Sequence, residues 1–255
     1  MANQCNICGA EINVFGTQKL ADGSCICRKN CRSKGFREFD YIHATLPQVT
    51  AHIKQVENGT KLWEHYFVPK LKEKDKAKKL QRFSSNLYVA EDLGLMALTQ
   101  VDYKFFIFGK STRACVYRIA DLIGYEMEEI EKKTNNGTQK ETAARLYFTK
   151  TEGMYEFTIP LPNTKAYQSL CKYFDTLFGI QKTLGNAGNN AKKQIDAIRS
   201  FASGIKAAAG GDANIEEKAA NAAEALDKAI YGDRSELIRR ADSALAAFHG
   251  SEAVI

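Results

Sequence analysis

Between Leu87 and Leu161 short apolar or alternating runs recur with turn signals between them, and their repeat of two is that of a β-strand. They predict strands over Leu87–Ala90, Leu93–Leu98, Lys104–Phe108, Arg113–Ile119, Gly124–Ile130, Ala143–Thr149 and Tyr155–Leu161. Turns are expected at Gln100–Asp102, Gly109–Thr112, Asn135–Gly137 and Thr151–Gly153. Seven antiparallel strands in so short a stretch predict a small barrel or sandwich. The period then changes to that of a helix. Asn163 reads as an N-cap, Tyr167, Leu170, Cys171, Phe174, Leu177 and Phe178 form one face, and Gly179 ends the helix.

Helical patterns flank this segment on both sides. Thr45-Leu46-Pro47-Gln48 has the form of a capping box with proline in the first turn. Val49, Ile53 and Val56 follow on one face, and Asn58-Gly59 is expected to stop the helix. Toward the C-terminus, Ile195, Ile198, Ala202 and Ile205 form a stripe that ends at Gly210-Gly211. Asn214 with Glu217 opens a second, carrying Ile215, Ala219, Ala222, Leu226 and Ile230. Asp233 with Glu236 opens a third, carrying Leu237, Ala241, Ala244, Leu245 and Phe248. Each stripe is narrow for a self-contained core, so these helices bury either against the middle segment or against another copy of the chain.

Composition adds limits to this picture. A chain of 255 residues with 44% hydrophobic and 26% charged side chains is globular, and is too long to be a small disulfide scaffold. No run of about eighteen apolar residues is present to span a membrane, and the N-terminus does not read as a secretory signal. A reducing, cytoplasmic setting is expected, where cysteines serve as metal ligands or buried apolar groups rather than disulfides. The net charge of +6 is unevenly spread. Residues 1–83 carry 15 basic and 8 acidic side chains, residues 84–186 carry 12 of each, and residues 187–255 carry 9 and 10, with 19 alanines. The composition divides the chain after residues 83 and 186, and the expected helix stop at Asn58-Gly59 divides the first part again, giving residues 1–57, a basic linker at 58–83, a β-rich unit at 84–186 and an alanine-rich helical hairpin or three-helix bundle at 187–255. The fold class expected is α+β.

Five of the seven cysteines lie within the first 31 residues. Cys5-x-x-Cys8-Gly9 is one knuckle, and Cys27-x-x-x-Cys31 is a second. Two cysteines a tight turn apart place both sulfurs on one ion, and two such turns complete a tetrahedron, so Cys5, Cys8, Cys27 and Cys31 are the expected zinc ligands. Cys25 shares a strand face with Cys27 and is an alternative third ligand. A unit this small buries too little apolar surface to fold alone, and a metal supplies the difference. With no histidine or carboxylate placed for it, the expected Zn2+ is structural.

These residues resemble a known pattern. Cys-x2-Cys-Gly, the Lys19-Leu-Ala-Asp22-Gly23 turn and then Ile26-Cys27-x3-Cys31 are similar to the four-cysteine zinc-ribbon domain of uncharacterised function found at the N-terminus of many bacterial and phage proteins. The resemblance covers roughly residues 4–57, and the chain departs from the commoner Cys-x2-Cys second knuckle. Over residues 84–179, seven strands followed by one amphipathic helix, with the run Ile119-Ala-Asp-Leu-Ile-Gly-Tyr-Glu-Met-Glu-Glu129, resemble pleckstrin-homology-like domains. That resemblance implies an antiparallel β-barrel plugged at one end by its C-terminal helix.

Other motifs carry less. Gly109-Lys-Ser-Thr112 imitates the end of a phosphate-binding loop but lacks the first glycine and precedes a strand. Cys115 and Cys171 fall on core faces. Residues 70–79 hold six lysines, a solvated linker or a patch for nucleic acid or anionic lipid. Arg28, Lys29, Arg32, Lys34 and Arg37, on and after the second knuckle, are the candidate nucleic-acid or anion contacts. No acid/base constellation accompanies the four histidines, so no enzyme is expected. The sequence therefore points to a non-enzymatic adaptor or scaffold acting through a protein partner or self-association, without a small-molecule substrate. Nucleic-acid binding through the basic segment and contact with an anionic membrane surface are the alternatives.

Overall fold

In the computed structural model, residues 3–73, 80–103, 109–134, 137–149, 153–179 and 232–252 are described. Near the N-terminus, β1 (Asn3–Gln4) pairs with β2 (Glu11–Ile12), and β3 (Thr17–Lys19) pairs with β4 (Cys25–Cys27), both antiparallel. Helix α1 (Leu46–Leu62) follows and continues through a π-helical turn, Trp63–Phe67, into a last helical turn at Val68–Lys70. A four-stranded antiparallel sheet then runs in sequence order, β5 (Gln81–Arg82), β6 (Leu87–Ala90), β7 (Leu95–Tyr103) and β8 (Lys110–Arg118). A 3-10 turn at Ile119–Asp121 leads to β9 (Leu122–Thr134), which forms a long hairpin with β10 (Gly137–Phe148), and β11 (Glu156–Pro160) adds to β10. Helices α2 (Thr164–Phe178) and α3 (Ser235–Glu252) complete the described chain. The result is mixed α and β, with several antiparallel sheets.

The four-stranded sheet is covered on both faces, and its sequence shows why. Leu87 and Val89, Met96 and Leu98, and Cys115 and Tyr117 point inward to a core shared with Phe148, Phe157 and Ile159 of the second sheet and with Leu170 and Phe174 of α2. The alternate residues, Tyr88 and Ala90, Leu95 and Ala97, and Ala114, join a second cluster on the opposite face with Trp63, Phe67, Ala241 and Ala244. A strand buried on both sides reads as an unbroken apolar run, and Leu95-Met-Ala-Leu98 is one.

Several expectations are corrected. Among the described residues the two sheets do not close into a barrel. The edge of β8 away from β7 faces α1 instead of another strand: Ala114 N donates to Thr60 Oγ1 at 3.1 Å, and Gly59 lies directly against the β8 backbone. For the same reason Asn58-Gly59 does not stop α1. Gly59 serves close approach rather than a left-handed cap, and the expected boundary between residues 57 and 58 falls inside the helix. The turn expected at Gln100–Asp102 is strand, paired with Ser111–Arg113 of β8, because Asp102 and Gln100 are held by side-chain hydrogen bonds that reward an extended backbone. The strand over Lys104–Phe108, the helices over Ile195–Ile205 and Ile215–Ile230, and most of the lysine run fall outside the described residues.

Helix α3 packs in cis. Its Leu237 and Ala241 ride over Gly94, whose φ of +62° turns the chain after a short 3-10 segment, and a Cβ there would meet Leu237 O and lie 2.9 Å from Ala241 N. Arg234, just before the helix, donates to Ala120 O at 2.6 Å and sits over the Phe178 ring at 3.8 Å. Ser235 N is capped by Asp233 Oδ1 at 3.0 Å. No described helix is long and apolar enough to cross a membrane.

Candidate metal centre

The first knuckle is a tight loop. Cys5 N donates to Ala10 O at 2.9 Å and Gly9 N returns to Cys5 O at 2.8 Å, which turns the chain back on itself. Gly9 sits at a φ of +71°, a conformation in which a side chain would be strained. The second knuckle leaves β4, where Cys31 N donates to Cys27 O at 3.2 Å. The two are set face to face because Asn6 bridges them: its N donates to Cys25 O at 2.9 Å and its Oδ1 accepts from Cys25 N at 2.9 Å.

Four sulfurs converge as a result. Cys5 and Cys31 Sγ are 3.6 Å apart, Cys8 and Cys27 Sγ are 3.7 Å apart, and all four lie within 4.8 Å of one another. A tetrahedron with metal–sulfur bonds of about 2.3 Å has sulfur–sulfur edges of about 3.8 Å. The cluster therefore has the dimensions of a four-thiolate metal site and is compatible with zinc. Residues 4–52 match the family described as Domain of unknown function (DUF4428). No curated protein and no solved structure matches the chain.

The surroundings of the sulfurs suit thiolates. Cys27 N points at Cys5 Sγ and Cys31 N at Cys27 Sγ, each at 3.3 Å. Burial pushes the Cys5 thiol up, but backbone N–H groups of Cys8, Cys27 and Ile7 outweigh it and bring the group down to about 6. Cys31 moves the other way, held up by burial and by the three sulfurs beside it. A cation at the centre of the four sulfurs would favour the thiolate form of each. Three of the cysteines are buried while Cys8 is exposed, and with four sulfurs in place no position is left open for a substrate.

Cys25 is not part of the cluster. Its thiol donates to Gln4 O at 3.2 Å, so Cys27 is the sulfur that joins Cys5, Cys8 and Cys31. Alternation along a strand put Cys25 and Cys27 on one face, yet the knuckle that begins at Cys27 turns its sulfur toward Cys8, 3.7 Å away.

The basic residues after the second knuckle separate into two groups. Lys34 pairs with Glu57 at 3.3 Å, Arg37 pairs with Asp102, and Arg32 lies 5.3 Å from the Tyr41 ring. Arg28 and Lys29 stand exposed on the knuckle itself, and Lys34 and Arg37 are exposed beyond it despite their pairs. The 32–37 segment is instead a joint to the β-sheet. Arg113 of β8 donates to the carbonyls of Ser33 and Gly35 and binds Asp102 Oδ2 through Nε at 2.8 Å, while Gln100 Oε1 accepts from Arg37 N at 2.8 Å. The guanidinium groups of Arg37 and Arg113 hold the Asp102 carboxyl below its usual range against the opposing effect of burial.

Helix α1 supplies the second connection. Asp22 Oδ2 accepts Leu46 N at 2.7 Å, so the turn between β3 and β4 caps the helix, and Val49 and Ile53 pack on Ile26, Cys27 and Cys31. One turn on, buried His52 accepts Phe36 N at Nε2 (2.9 Å), leaving Nδ1 to donate to Gln55 Oε1 (3.3 Å), and its ring stacks on Phe39. Gln55 in turn exchanges hydrogen bonds with the backbone N and O of Met154. The packing of this helix on the knuckles is expected from its apolar face, but the bonds made by Arg113, Asp102 and Met154 were not legible in sequence, because these residues lie far along the chain from the groups they bind. The buried position of His52 is that of a packing residue. Cys115 and Cys171 are likewise buried, and burial pushes both thiols up, Cys171 to about 11.

Proposed function

We propose that this chain is a non-enzymatic adaptor in which a structural zinc ion, held by Cys5, Cys8, Cys27 and Cys31, fixes a ribbon against a β-sheet platform. The convergence of four sulfurs with no open position carries the reading, since a closed thiolate site supports structure rather than turnover. When bound, zinc supplies no chemistry beyond cross-linking the two knuckles. The chain's own groups do the rest: backbone N–H groups stabilise the thiolates, Asp22 caps α1, and Arg113 ties the segment after Cys31 to β8.

Within residues 84–186, three strands followed by three more and then by the amphipathic helix α2 support reading this part of the chain as pleckstrin-homology-like, a platform that serves binding rather than catalysis. The partner is a protein or a second copy of the chain. Nucleic-acid binding is the weaker reading, because Lys34 and Arg37 are engaged within the chain.

Metal analysis of the purified chain is expected to find one zinc per molecule, lost in Cys27→Ser and kept in Cys25→Ser. Zinc kept in Cys27→Ser, or absent from the wild type prepared with zinc present, overturns the site. Any partner recovered with the intact chain should hold through a salt titration. Steep weakening with salt marks an anionic partner instead, nucleic acid or an anionic membrane.

A further inference from the structure

The turn between β2 and β3 presents two large apolar side chains to solvent, Val14 at 80% and Phe15 at 89% exposure. No other described pair of neighbouring large apolar residues is so exposed. The turn that carries them is fixed rather than loose. Asn13 Oδ1 accepts Gly16 N at 2.8 Å, and Asn13 O accepts Gly16 N at 3.1 Å and Thr17 Oγ1 at 2.7 Å. The flanking residues Ile12 and Thr17 are buried, so the turn is a short apex on a packed base.

The backbone places two exposed cationic residues beside it. Arg28 N donates to Gly16 O at 2.9 Å, which continues the β3–β4 ladder and brings exposed Arg28 and Lys29 alongside the turn. Opposing them is Glu11, on the strand that leads into the turn.

We propose that this apex is a membrane-contacting finger: Val14 and Phe15 enter the interface of an anionic bilayer while Arg28 and Lys29 meet its headgroups. The chemistry selects this occupant. A convex apex with two apolar groups needs a medium that yields around it, and an adjacent cationic pair needs negative charge at the depth of the headgroups. Nucleic acid offers the charge and a face for Phe15 to stack on, but nothing for the aliphatic Val14. The inference rests on the proposed metal-held ribbon, so zinc content is read in every sample.

The test is co-sedimentation of the full chain with vesicles of phosphatidylcholine alone and with phosphatidylserine added, beside a single-stranded oligonucleotide binding assay. Binding to the phosphatidylserine vesicles is expected. It should weaken about tenfold in Phe15→Ser, from the apolar burial lost. Arg28→Gln and Lys29→Gln should each weaken it about fivefold, from the headgroup attraction lost. All three variants retain zinc, because none of these side chains packs in the core. Wild-type protein that carries zinc yet ignores both vesicle types overturns the proposal, as does binding that Phe15→Ser leaves unchanged. Oligonucleotide binding lost in Phe15→Ser, without vesicle binding, assigns the apex to nucleic acid and overturns it equally. Loss of zinc from the wild type itself is a failure of the metal site and is told apart by that measurement.

Discussion

Gly59 sets how closely α1 approaches the β-sheet, and replacing it with alanine measures what that approach is worth. A methyl group built there would collide with Ala114 O and lie 2.9 Å from Val116 N and 3.0 Å from Ala114 C. All three are backbone atoms of β8, a strand fixed on its other edge by β7, so no side chain can swing aside. Two effects compete. Removing glycine from a helix interior stabilises by about 1 kcal/mol. Forcing a methyl into a filled space costs about 1–3 kcal/mol. Lifting the helix also weakens the Thr60 Oγ1 bond to Ala114 N, worth about 1 kcal/mol. Gly59→Ala should therefore destabilise by about 1–3 kcal/mol.

Gly250 provides the internal control. It lies in α3 with nothing within 4 Å of an added Cβ, so Gly250→Ala should stabilise by up to about 1 kcal/mol, less if the helix end frays. Urea unfolding of both variants, at matched zinc, compares the same chemical change in two helices with opposite expected signs. The reasoning is refuted if Gly59→Ala is as stable as the wild type or more so while Gly250→Ala behaves as expected.

Two further perturbations probe the joints between the metal segment and the sheet. Burial lowers the pKa of His52 from the ordinary 6.5 to about 4. As pH falls from 6.5 toward 4 the unfolded chain takes up a proton that the folded one refuses, so up to about 3 kcal/mol of stability is lost across that window. Because acid also loosens thiolate–metal bonds, the measurement is the stability gap between wild type and His52→Gln, which should narrow as pH falls; a gap that stays constant refutes the assignment. Arg113→Met should cost about 2–3 kcal/mol in urea unfolding, since it strands the Ser33 and Gly35 carbonyls and leaves Asp102 to Arg37. Arg113→Lys should recover little of this, because one ammonium cannot reach both carbonyls and the carboxylate, and full recovery by lysine would count against the joint.

What could be read from the sequence was what short range decides. The knuckle spacings named the four cysteines whose sulfurs converge, and short apolar or alternating runs overlap six of the described strands. Asn163 and Gly179 bounded α2 as capping chemistry predicts. Local rules failed where tertiary contact took over. Asn58-Gly59 looks like a stop signal, yet a glycine serves a close backbone contact as readily as a left-handed turn. Gln100-Val-Asp102 looks like a turn, yet Arg37 and Arg113 hold its side chains. The alternation of Cys25 and Cys27 could not say which sulfur turns inward, since that depends on Asn6 of the opposite knuckle.

These joints bear on what a metal at the four sulfurs would stabilise. Cys31 is followed at once by the segment whose carbonyls bind Arg113, and Val49 and Ile53 pack on Cys27 and Cys31 from the helix that also covers the edge of β8. Loss of the ligand cluster would therefore loosen α1 at its capped end, where Asp22 holds Leu46 N, before the strain reached Gly59. The binding free energy of an ion there would not be confined to the two knuckles; the helix would pass part of it to the sheet. The sheet in turn holds the 32–37 segment through Arg113, which restricts Cys31 before any metal arrives. An isolated peptide ending before α1 should for that reason bind zinc more weakly than the full chain does, because it must order both knuckles without the helix and without β8.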